Sequence, residues 1–211
     1  NRNARRKQSG SLIYWFKEFL DIVGHDKAML VMHTEPKDPN GQDLEAIMES
    51  LELNERQVLL SVQKLSPIDL AKLYNASDCT INISDAEGFG LATLESLATE
   101  TPIIVNMTGG LQEQVTDGEN WFGIGLNPSS KAIIGSQEVP WIYEDRLDGK
   151  DVVDALVTFY NMSQEERDEM GKKGRDYVLK EYGKAKYAGN WYQLFKKTID
   201  EHGSWETRKG Y

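Results

Sequence analysis

Short apolar, β-branched runs alternate with helix-forming segments along most of this chain. Runs at 28–33, 58–61, 79–84, 103–105 and 123–126 read as strands. The intervening segments carry apolar residues at helical spacing or helix-start signals. Leu12, Ile13, Phe16, Phe19, Leu20 and Val23 make one such face, ended by Gly24. Asp43 stands as a cap before Leu44, Ile47, Met48 and Leu51. Ser66-Pro67-Ile68-Asp69 combines a cap, a first-turn proline and an acid at the positive helix end, and it predicts a helix to about Asn75. This alternation predicts an α/β fold with a parallel, doubly wound, Rossmann-like sheet.

After the sheet, helices are expected at 151–160, 163–182 and 187–201. The connection at 127–150 is unusually long for such a fold. Its Trp141, Ile142 and Tyr143 predict that it folds onto the body; a lid or a partner contact is the functional alternative. The expected organisation is a Rossmann-like domain over 1–150, helices packed on it over 151–202, and a loose tail at 203–211.

A sheet of this class opens with a strand, whereas the first recognisable element here is a basic turn leading into a helix. The expectation is that a first strand lies before Asn1, so the visible strands are the second to the sixth. In the order 3-2-1-4-5-6 the ligand crevice lies between strands one and four. That puts the basic turn at Arg2–Lys7 and the turn after 79–84 on opposite lips of one cleft.

The second lip reads Asp85-Ala86-Glu87-Gly88-Phe89-Gly90-Leu91. Two glycines permit a sharp turn, and the helix start beyond them presents free N–H groups to an anion. Glu87 and Glu95 bracket the segment, roughly 10–12 Å apart if it is helical. Arg2 and Lys7 would neutralise a diphosphate, one as a planar fork and the other as a point charge. A nucleotide sugar matches this layout, with hydroxyl-rich rings at its ends and a pyrophosphate between them. The amides of Phe89, Gly90 and Leu91 would then face the phosphates. The plainer alternatives are a solvated basic patch, a dipole-satisfying acid at Glu87 and a surface acid at Glu95.

Other classes fit less well. With 24 basic and 34 acidic residues, the net charge of −10 argues against nucleic acid or an anionic membrane as partner. Cys79 is the single cysteine, which excludes an internal disulfide and points to a reducing, cytoplasmic setting. No apolar run reaches membrane-spanning length. Gly88-x-Gly90 continues with Thr93 where a dinucleotide fingerprint needs Gly or Ala, and the next strand ends in Asn106, not an acid. Glycoside hydrolysis needs its carboxyls within ~9.5 Å. His25, His33 and His202 are scattered, so no metal site is expected. No nucleophile triad has a recognisable context.

The segment from Glu87-Gly88-Phe89-Gly90-Leu91 to Glu95 resembles the E-x7-E signature of the retaining glycosyltransferases of family four, which have the GT-B fold. Arg2 and Lys7 stand at the spacing of that family's basic pair. The stretches from Ser66 to Leu70, Tyr74 to Asp78, Ser96 to Ile104 and Gly109 to Glu113 are similar to its flanking motifs. The resemblance covers about 2–123 and, more weakly, the last helices. It implies the C-terminal, donor-binding half of such an enzyme, with no metal cofactor. The donor would be a UDP- or GDP-linked sugar, and the acceptor would be held by an N-terminal domain of the same parent chain. Arg2 and Lys7 would stabilise the departing diphosphate. Glu87 would contact the donor sugar, with the backbone of Gly88, Phe89, Gly90 and Leu91 near sugar and phosphate. Glu95 would hold the ribose, and Lys64 and Leu65 would lie near the base. The chain departs from the pattern in lacking that N-terminal domain and in the length of 127–150. A non-catalytic nucleotide or nucleotide-sugar binding module is the alternative.

Overall fold

The computed structural model of the chain describes residues 2–207. Asn1 and residues 208–211 of the expected tail lie outside the described residues. A 3-10 turn at Arg5–Lys7 leads into α1 (Ser9–Val23), β1 (Leu30–His33), α2 (Leu44–Ser50) and β2 (Val58–Ser61). Next come α3 (Pro67–Asn75), β3 (Thr80–Asn82), α4 (Leu91–Ala98), β4 (Ile103–Asn106), α5 (Leu111–Val115) and β5 (Gly123–Leu126). The chain continues with β6 (Ser130–Ile134), β7 (Ile142–Arg146), α6 (Gly149–Asn161), α7 (Gln164–Glu181) and α8 (Lys184–His202).

Local chemistry sets the helix ends. Ser66 accepts from the Asp69 amide at 3.2 Å, and Asp43 accepts from Ala46 at 3.0 Å. Ser163 and Glu166 close a reciprocal capping box at the start of α7. Gly24, at φ 111, stops α1. The apolar face of α1 is buried: Ile13 and Leu20 have no exposed surface, and such a side chain contributes ~1.5–3 kcal/mol by leaving water.

β1 pairs with β2 in parallel, Leu30 opposite Val58. β3, β4 and β5 form a second parallel sheet in that order. β4 is central and buried throughout. These neighbours are those expected of strands two with three and four with five and six. The strands do not form one continuous ladder, however. β1 and β3 are both edge strands. Between them lies a slot of ≈ 630 Å³, lined by Leu30 and Met32, by Ile81 and Ile83, and by Phe16 and Phe159 from the helices. The 3-10 turn joins the two halves. The Arg5 amide donates to Asn40 beyond β1, and the Asp85 amide beyond β3 donates to Arg6, both at 2.8 Å. Both strands therefore end beneath one turn.

α6 packs on α1 through Val152, Leu156 and Phe159. α7 packs on α4, where Val178 joins Leu97 and Phe122. α8 departs from the expectation of packed helices, because none of its side chains is buried. Its aromatic residues contact one another along the helix instead, Trp191 with Phe195 at 5.2 Å between ring centres.

The 127–150 connection is an antiparallel hairpin of β6 and β7, with Ser130 opposite Arg146 and Ile134 opposite Ile142. No strand was expected here, since charged and apolar residues are mixed along it. Nor does the whole excursion lie on the body: Trp141 is 68% exposed and Tyr143 52%. Only its base is fastened. Alternation along β7 turns Tyr143 outward and Glu144 inward, where 3% of Glu144 is exposed.

Candidate functional site

The site forms where the basic turn meets the loop leading into α4. β3 ends at Asn82, and Ser84 and Asp85 are buried beyond it. The loop turns at Gly90, whose φ of 87 is open to glycine at little cost, and α4 begins at Leu91. Thr93 Oγ1 donates to the Gly90 carbonyl at 2.8 Å. The Gln114 side chain donates to the Phe89 carbonyl at 2.6 Å, and the Gly110 amide donates to Glu87 at 3.3 Å. Gly109 approaches so closely that a Cβ there would fall 1.8 Å from the Glu87 carbonyl oxygen. Gly88 is the opposite case: a Cβ on it would meet no protein atom within 4 Å. The folded chain makes no steric demand for glycine at position 88.

The structure brings Lys7 and Glu87 together. The Lys7 ammonium, 9% exposed, donates to the Glu87 carboxylate, 11% exposed. Arg6 joins them, 3.5 Å from Glu87 and 2.6 Å from the Ala86 carbonyl. Burial by itself would raise the Glu87 carboxyl, but the bond to Lys7 and the charges of Lys7 and Arg6 outweigh it. The carboxyl ends below its ordinary value. Arg2 is placed differently. Its guanidinium forks onto Asp38 at 2.7 and 3.2 Å, on the loop after β1. Arg6, not Arg2, is the arginine at the Glu87 turn.

Glu95 is exposed on α4 and accepts a 2.9 Å bond from the Tyr74 hydroxyl of α3. Burial and then the Glu95 carboxylate push the Tyr74 phenol up, so it stays a donor. Phe89 and Leu91 are exposed, and Phe89 meets Tyr182 edge-on at 5.7 Å. Lys64 is exposed and Leu65 half-buried in the β2–α3 loop. Among the described residues no group of three or more His, Cys, Asp or Glu is placed to hold a metal ion, and no helix is long and apolar enough to cross a membrane.

Sequence reasoning missed a second set of charges. Glu144 of β7 binds Arg5 through both carboxylate oxygens, at 2.9 and 2.5 Å. Arg146 reaches Glu144 and Asp85, each at 3.0 Å. Asp85 also accepts from the Gln8 side chain at 2.6 Å. The Arg5 bond holds the Glu144 carboxyl below its ordinary value, while burial raises Asp85. A lone Glu in a mixed segment gives no local sign of such a partner. The adjacency of Arg5 and Arg6 was visible, but not the direction each would face.

The sequence model of the family described as "Glycosyl transferases group 1" matches residues 17–177. The chain is 35% identical over 99 residues to a D-inositol 3-phosphate glycosyltransferase of Corynebacterium urealyticum, covering 44% of this chain and 23% of that protein. To its namesake from Geodermatophilus obscurus it is 32% identical over 107 residues, covering 46% and 24%. The match thus spans about a quarter of the length of these curated relatives. The structure is similar to that of a sucrose-phosphate synthase from Thermosynechococcus elongatus, with a TM-score of 0.72 and 22% identity over 95% of this chain and 44% of the other. It is also similar to the C-terminal domain of a group 1 glycosyl transferase from Francisella tularensis, with a TM-score of 0.63 and 21% identity over 86% and 82%. These likenesses give the fold, that of the C-terminal domain of GT-B glycosyltransferases. With the family match running through most of the elements that build the site, the chain belongs to the group 1 glycosyl transferases.

Proposed function

We propose that this chain is the donor-binding half of a retaining, cytoplasmic glycosyltransferase that uses a UDP- or GDP-linked sugar and needs no metal. Its acceptor is held by an N-terminal domain of the same longer protein, and a strand from that protein fills the slot between β1 and β3. The observation that carries the donor reading is the Lys7–Glu87 pair at the entrance to α4, beside the open space over Gly88.

The chemistry follows from the charges. As the bond from the anomeric carbon to the diphosphate breaks, negative charge grows on the leaving group. Lys7 and the free amides at the start of α4 stabilise that charge more than they stabilise the intact donor, which lowers the barrier. Lys7 is paired with Glu87, and a bound diphosphate draws the ammonium toward itself. Glu87 is then free to accept from hydroxyls of the donor sugar. Glu95, already oriented by Tyr74, accepts from the ribose hydroxyls. The base lies by Lys64 and Leu65. Arg2 contributes to the diphosphate only after leaving Asp38, whose side chain is 11% exposed and accepts two bonds from it.

Calorimetric titration with UDP, GDP, ADP and their sugars tests this reading. One diphosphate and its sugar should bind, and the free nucleoside should bind far more weakly. A folded chain that binds none of them overturns it. Turnover by the intact longer protein separates an enzyme from a non-catalytic binding module.

A further inference from the structure

Backbone bonds and the contacts of Arg6 and Lys7 with the Glu87 loop hold the basic turn, but its own fold is slight. It is one 3-10 turn of three residues with none buried and no side-chain cap. The residue after it, Gln8, has φ 56, in the left-handed region that a side chain rarely adopts. Yet the position of Lys7 depends on this turn and on that junction. Both are tied down from the hairpin. At one end Glu144 of β7 takes both arms of the Arg5 guanidinium. At the other, Arg146 of β7 holds Asp85, and Asp85 accepts from Gln8. Arg146 also bonds Glu144, so positive and negative groups alternate from Arg5 through Glu144 and Arg146 to Asp85. The two acids are each 3% exposed in their side chains, where water screens such pairs weakly. The hairpin base is joined to the same place through its backbone and Asp145. The Asp145 amide donates to the Asp85 carbonyl at 2.8 Å, and Thr108 donates to the Asp145 carboxylate at 2.8 Å.

We propose that Glu144 is a positioning residue for the donor diphosphate. It reaches no ligand itself; it fixes Arg5, and with Arg5 the turn that carries Lys7 to the rim of α4. The inference rests on the reading of this site as one for a nucleoside diphosphate. It gives the 127–150 excursion a task at its base that is separate from its exposed aromatic tip.

The experiment titrates the wild-type chain and its Glu144→Gln, Arg5→Gln and double variants with UDP, GDP and ADP and with the matching nucleosides. Glu144→Gln should weaken the bound diphosphate about tenfold and leave its nucleoside unchanged within about twofold. Arg5→Gln should do the same, and the double variant should bind no more weakly than either single one. The double variant removes both charges together, so it keeps the test open if Glu144→Gln alone fails to fold. Amide exchange at 4–9 should quicken in Glu144→Gln while β4 stays protected. Equal loss for nucleoside and diphosphate, or additive single losses, overturns the proposal. So does an unchanged diphosphate affinity in Glu144→Gln when Lys7→Ala has lost it, an outcome that leaves the donor reading standing. A folded wild-type chain that binds none of the diphosphates overturns both.

Discussion

Lys7 and Glu87 stand 80 positions apart and form an ion pair that closes the basic turn onto the loop before α4. Each neutralises the other, and Arg6 lies beside them. On the proposed reading, the group that meets the donor phosphates is held ready by the group that meets the donor sugar.

Lys7→Ala should lose a charge-assisted contact, on the order of 1.5–3 kcal/mol, from the binding of a nucleoside diphosphate. Binding of the nucleoside should hardly change. Calorimetry on both ligands checks this, and an equal loss for both would sink the role given to Lys7.

Gly88 and Gly109 should respond in opposite ways to the same substitution. Gly109→Ala, at φ 49 and against the Glu87 carbonyl, should destabilise the fold by more than about 1 kcal/mol. Gly88→Ala meets no protein atom, so its melting temperature should hold or rise. Its affinity for the nucleotide sugar should still fall, because on the proposed reading the methyl group takes up donor space. Unchanged affinity in Gly88→Ala would remove Gly88 from the site.

Glu95 with Tyr74 should read the ribose. Glu95→Gln is expected to reduce the preference for a ribonucleoside diphosphate over its 2′- and 3′-deoxy analogues. Tyr74→Phe should do so more mildly, since it frees the carboxylate without removing it. Competition binding with the analogues measures this, and an unaltered preference in Glu95→Gln argues for a surface acid.

The site's acids give the stability a defined dependence on pH. Glu87 and Glu144 have folded-state pKa values below their unfolded ones. Their contribution is complete above the ordinary Glu value of about 4.3 and is lost as pH falls through the folded values. Asp85 is raised by burial, so its effect has the opposite sign: it favours the fold at low pH and loses that as pH rises through its folded value. Melting temperature against pH should show a shallower acid limb in Glu144→Gln. Asp85→Asn should remove the loss that sets in above the ordinary Asp range. Identical acid limbs in the wild type and Glu144→Gln would contradict the assigned ion pair.

The elements were legible because their signals are local. Val58–Ser61, Pro67–Asn75 and Gly123–Leu126 fall where caps, glycines and apolar runs put them. The pairing of β1 with β2 and the order β3-β4-β5 follow from the handed crossovers of an alternating chain. The β6–β7 hairpin was not legible, because its strands mix charged and apolar residues and its tip is exposed.

What the sequence determined by itself is the alternating α/β architecture, the glycine turn entering α4, and a basic turn fit to face it. The tertiary structure alone decided that Arg6 and Lys7 meet Glu87 while Arg2 turns to Asp38. It alone brought Glu144 across 139 positions to Arg5, left α8 without a buried side chain, and kept β1 and β3 apart. The physical reason is range. Propensity and capping act over a few neighbouring residues, whereas the partner of a charged side chain is set by which opposite charge packing brings within about 3 Å of it.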